Sequence, residues 1–135
     1  MIAAGAPAPV GPEQELAYAF FDGMGPDLES FADTYRKLMA DDVVWETVGL
    51  PPRQGIDAAV AYLDDLNART GMTYCRIELL AMASAGPLVL TERIDIMLRS
   101  DDSEIIRFRI AGVLEIVDGR IQRYTDYCDL SSMRG

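Results

Sequence analysis

The chain has no histidine and only two cysteines among its 135 residues. Without histidine, acid–base chemistry near neutrality falls to carboxylates and tyrosines. Cys75 and Cys128 fit no metal or redox spacing, so no zinc or redox-metal site is expected. No basic residue precedes Arg36, so a secretory leader is not expected. No apolar run approaches ~18 residues, so neither is a membrane span. Free thiols without a leader point to the cytoplasm. The formal net charge is -10, and the 12 basic residues form no block. Phosphate backbones and anionic membranes would be repelled, so no nucleic-acid partner is expected.

What is present suffices for one domain with a core, since half the residues are apolar. Residues 1–11 are rich in Ala, Pro and Gly and are expected to be loose, with one domain over 12–135. Pro12, Glu13 and Glu15 suit the first turn of a helix whose stripe is Leu16, Phe20 and Met24. A second helix is predicted from Asp27 to Met39, a short strand from Val43 to Val48, and a third helix from Ile56 to Ala68. From Thr73 the period becomes two. Strands are predicted over 73–83, 88–99, 104–117 and 120–129, and Asp118-Gly119 is the strongest hairpin turn. Helices followed by an antiparallel run read as an α+β fold, with helices packed on one face of a curved sheet.

The chemistry-bearing residues lie on two of these strands. Arg93 and Asp95 are two apart and share a face. If the last strand brings Asp126 to that face, one arginine lies between two carboxylates. Such a unit offers a base, an acid and the group that sets them apart. Simple alternation argues otherwise. It buries Leu88, Leu90, Ile94, Ile96 and Leu98, and leaves Arg93 and Asp95 in water as an ion pair worth little. Both sheet faces carry apolar residues, however. If helices cover one face and a second subunit the other, the Arg/Asp face lines a closed cavity.

Leu90-Thr91-Glu92-Arg93-Ile94-Asp95 and Tyr124-Thr125-Asp126-Tyr127-Cys128-Asp129-Leu130 resemble the limonene-1,2-epoxide hydrolase family. So does Trp45-Glu46-Thr47-Val48-Gly49-Leu50-Pro51-Pro52, followed by Gly55, Asp57 and Ala58 at a helix start. The resemblance covers roughly residues 12–131. It implies a cone-shaped, curved mixed sheet of the nuclear-transport-factor-2-like type around an apolar pocket, in a homodimer. It implies cofactor-free hydration of a small apolar epoxide to a vicinal diol. By the motif match Asp126 takes the base position, Arg93 the bridging position and Asp95 the acid position.

The chemistry is coherent. An ionised carboxylate takes a proton from water, and a protonated one gives a proton to the epoxide oxygen. An ordinary Asp has a pKa of about 3.9, and raising one to neutrality costs about 4 kcal/mol. Burial and a second carboxylate push that way, and arginine pushes back.

Family members place a tyrosine and an asparagine on the short strand to hold water. Here those positions are Trp45 and Thr47. Met72, Met97, Phe108, Ile110, Leu114 and Cys128 are the candidate pocket wall. The chain's end soon after Leu130 predicts a wider mouth. Two other readings use the same fold: a ketosteroid-isomerase-like or polyketide-cyclase-like enzyme, or a protein that binds an apolar ligand without chemistry.

Overall fold

A computed structural model describes residues 1–131. The end of the expected 12–135 domain, and the wider mouth inferred from it, concern residues 132–135, outside the described residues. Three helices and six strands follow one another as α1 (Gly11–Asp22), α2 (Leu28–Leu38), β1 (Met39–Thr47), β2 (Arg53–Gln54), α3 (Ile56–Thr70), β3 (Met72–Ala85), β4 (Leu88–Arg99), β5 (Glu104–Val117) and β6 (Arg120–Cys128). The strands form one sheet in the order β2-β1-β6-β5-β4-β3. β1 and β6 run parallel and the other neighbours antiparallel, so the sheet is mixed.

Local chemistry explains the boundaries. Asp27 caps α2 by accepting from the Ser30 N–H at 2.8 Å. Gly71 ends α3 in the left-handed region at φ 81° and donates to the Asn67 carbonyl. Asp118 and Gly119 both take positive φ, 51° and 74°, as the tight β5–β6 hairpin requires. β1 starts at Met39, not at Val43, because Met39 pairs with Ile121 before an irregularity near Val44. The pair Arg53–Gln54, in a stretch with no strand period, adds to the β1 edge.

The segment expected to be loose is partly held. The N-terminal nitrogen of Met1 donates to the Phe21 and Cys75 carbonyls at 3.0 and 2.7 Å. Ile2 bridges Ile77 in parallel. These residues cover backbone groups on the outer edge of β3 that would otherwise stand open.

The burial phase of β4 also differs from simple alternation. Val89, Thr91 and Arg93 are buried, whereas Leu90 is exposed. The helices explain this, because α1 lays Phe21 under the Arg93 guanidinium, 4.4 Å from the ring centre. Ile96 and Leu98, on the other face, are buried as well. Arg76 and Arg107 flank Ile96 in register, and long arginine stems shield such a position.

The core lies between helices and sheet and is notably aromatic. Phe20 stacks on Tyr35 at 5.1 Å, and Trp45 stacks on Tyr124 at 5.8 Å.

Candidate active site

Strand parity and register build the site. Arg93 pairs with Ile110, Asp95 with Phe108 and Gly112 with Asp126, so these residues meet on the helix-covered face. Arg93 is fully buried, at 0% exposure. Its Nε and Nη2 meet Oδ1 and Oδ2 of Asp95, both at 3.0 Å. Nη2 also donates to Asp126 Oδ1 at 2.9 Å and to the Tyr124 hydroxyl at 3.3 Å. Nη1 donates to Thr91 Oγ1 at 2.8 Å, and Thr91 donates to the Gly112 carbonyl. One guanidinium thus joins both carboxylates, as the sequence reading required.

The charges follow from burial. Burial pushes the Asp126 carboxyl above the ordinary range; Arg93 opposes this and Asp95 adds to it. For Arg93, burial works against the cation, but Asp126 and Asp95 more than offset it and hold the group well above its usual value. Burial raises the Tyr124 hydroxyl well above its ordinary value, so it stays a phenol. The Cys75 thiol is pushed up to about 12, chiefly by burial, and burial raises Cys128 too. Neither is poised as a thiolate nucleophile.

Asp95 and Asp126 open into a cavity of about 370 Å³, within the usual range for small-molecule sites. Of the predicted wall, Met72, Met97, Phe108, Ile110 and Cys128 line it. Leu114 does not: it is fully buried in the core, on the same strand face but deeper under the helices. The helices contribute wall residues that strand parity had no means of indicating, among them Phe31, Tyr35, Tyr62 and Leu66.

Trp45 and Thr47 both line the cavity, but they differ as water contacts. The Trp45 Nε1–H is enclosed by protein and has no hydrogen-bond acceptor. The indole instead presents its faces to Arg53, 4.1 Å from the ring centre, and to Tyr124. Its ring forms part of the cavity wall. Thr47 Oγ1 accepts from Arg53 Nη2 at 3.1 Å.

Arg53, Thr91 and Gly112 join the site without a signal read from the sequence, and Tyr124, a candidate only as an oxyanion donor, joins it beside Arg93. Arg53 is 9% exposed, lies between Trp45 and Tyr62, and has no carboxylate partner among the described residues. Gly112 leaves the gap that Arg93 and Asp126 occupy.

Residues 17–134 match the limonene-1,2-epoxide hydrolase catalytic domain. The chain belongs to the limonene-1,2-epoxide hydrolase family. Epoxide hydrolase EphG of Mycobacterium tuberculosis is 31% identical over 101 residues, 75% of this chain. The aligned region spans 64% of that relative, so the chain matches less than two thirds of its length. The solved structure of an M. tuberculosis epoxide hydrolase of the limonene type superimposes with a TM-score of 0.73 at 26% identity, covering 91% of this chain and 86% of that one. A protein from Burkholderia pseudomallei K96243, described as nuclear-transport-factor-2-like and of unknown function, gives 0.74 at 11% identity over 92% and 95% of the two chains. A structure described as a SnoaL-like polyketide cyclase of Jannaschia sp. CCS1 gives 0.74 at 14% identity over 97% and 95%. The last two show the fold alone, which is that of the nuclear-transport-factor-2-like and SnoaL-like proteins. No helix among the described residues of this family member is long and apolar enough to cross a membrane.

Proposed function

We propose that this protein adds water to a small or medium apolar epoxide, without a cofactor and in one step, to give a vicinal diol. The observation that carries the reading is a single buried guanidinium holding two carboxylates that open onto one apolar cavity. Ionised Asp126 takes a proton from water as the water oxygen attacks an oxirane carbon. The carbon–oxygen bond breaks, and the departing oxygen takes a proton from Asp95. Arg93 spreads the charge between them. The proton left on Asp126 then returns to Asp95 before the next cycle.

A carbon-base reaction on this fold would need a separate donor for the developing oxyanion. Tyr74 supplies none, because its hydroxyl is held by Asp102 on the exposed side at 2.5 Å. Trp45 supplies none, because its N–H is enclosed. Of the three candidate donors only Tyr124 remains at the cavity, with its hydroxyl on Arg93 Nη2 at 3.3 Å, so a carbon-base reading would rest on that one group. Hydrolysis needs only the two carboxylates and Arg93.

We also propose that the protein works as a homodimer through the sheet face away from the helices. Leu90 at 43% and Tyr127 at 50% exposure lie on that face. Sedimentation at micromolar concentration tests this, and a Tyr127→Glu variant is expected to shift the mass towards monomer.

The test of function is diol formation from a panel of aliphatic and cyclic epoxides, with Asp126→Asn and Asp95→Asn beside the parent. Turnover by the parent and loss of at least a hundredfold in both folded variants is expected. Unchanged turnover in either removes that residue from the mechanism.

A further inference from the structure

Arg93 serves its two carboxylates unequally. Asp95 receives two guanidinium contacts, from Nε and Nη2, and Asp126 receives one. A two-pronged arginine pair is the stronger stabiliser of a carboxylate anion. Arg93 alone therefore favours the anion on Asp95, the reverse of what a base at Asp126 needs. A second donor to Asp126 would restore the balance.

Tyr124 is placed to be that donor. It precedes Asp126 by two residues and shares its face of β6. It lines the same cavity, and its hydroxyl accepts from the same Arg93 Nη2 at 3.3 Å. With a lone pair committed to Arg93, the hydroxyl proton points elsewhere, and Asp126 Oδ1 accepts from the same Nη2 at 2.9 Å, on the side open to that proton. The ring cannot wander. It is stacked on Trp45 at 5.8 Å and meets Phe20 edge-on at 5.2 Å. Trp45 is also its register partner on β1.

We propose that Tyr124 is a positioning residue: its hydroxyl, anchored on Arg93, gives Asp126 a second donor and so makes Asp126, not Asp95, the carboxylate that takes the proton from water. This rests on the reading of Asp126 as the base. Two further observations agree with it. Burial keeps the Tyr124 hydroxyl protonated, and Tyr124 pulls the Asp126 carboxyl down against the upward push of burial.

The test is the pH profile of kcat/KM, whose acid limb reports the base. Tyr124→Phe removes the donor and keeps the ring packing. Its acid limb is expected to move up by about one pH unit, a tenfold loss at a fixed pH below the limb. Fluorotyrosine at position 124 is a stronger donor, and its limb is expected to move down. This second variant retains the hydroxyl and decides the matter if the phenylalanine variant does not fold. A limb that stays put in the folded variants overturns the proposal, even if kcat falls. Carbon-13 titration of the aspartate carboxyls separates this proposal from the proposed function. If the parent turns over no epoxide, an upward shift of Asp126 in Tyr124→Phe still supports the donor, and no shift overturns it.

Discussion

Gly112 faces Asp126 across the β5–β6 ladder with no room to spare: a Cβ there would lie 2.6 Å from Asp126 Oδ1 and would also press on Arg93 Nη1. The residue is glycine for lack of space, since its backbone does not take a positive φ. Gly112→Ala must therefore displace the guanidinium, the carboxylate or both. The expected cost is about 1–3 kcal/mol of stability, with turnover falling more than tenfold. Denaturant melts and steady-state kinetics on the same preparation check both parts.

Asp126 makes stability depend on pH. Its carboxyl is raised in the folded state, mainly by burial. A raised carboxyl contributes its stability at low pH and loses it as pH climbs through the folded-state value. Asp126→Asn has no such loss. The stability difference, variant minus parent, is expected to grow with pH from the acid range to neutrality. Thermal melts across that range read it directly, and a difference that shrinks with rising pH contradicts the account.

Arg53 tests whether the wall and the site are coupled. Its guanidinium sits between the Trp45 and Tyr62 rings, 4.1 and 4.2 Å from their centres, and holds Thr47. Desolvated contacts of this kind are worth up to about 2 kcal/mol each. Arg53→Met is expected to lose about 1–3 kcal/mol of stability and several-fold in turnover. Arg53→Lys keeps the charge without the planar stack and is expected to recover little of either. Full recovery by lysine would assign the effect to charge alone.

Parity made the triad legible. Arg93 and Asp95 are two apart on one strand, and the motif around Asp126 put the third member on another. The choice of buried face was not legible from β4, because both of its faces carry apolar residues. It was decided by where α1 lays Phe21. Arg53 escaped because a two-residue strand after two prolines has no period to read. Gly112 left a trace, a lone glycine inside an apolar strand run, which often marks a close approach. The direction of the Trp45 N–H was not legible either, because residue type says nothing of which way it points.

Oxygen-18 water in a single turnover, with enzyme in excess over epoxide, separates direct hydration from a covalent route. If Asp126 activates water while Asp95 protonates the departing oxygen, the label enters the diol in the first cycle and no carboxylate is labelled. Unlabelled first-cycle diol, with the label found in Asp126 or Asp95, would show a covalent ester and contradict the account.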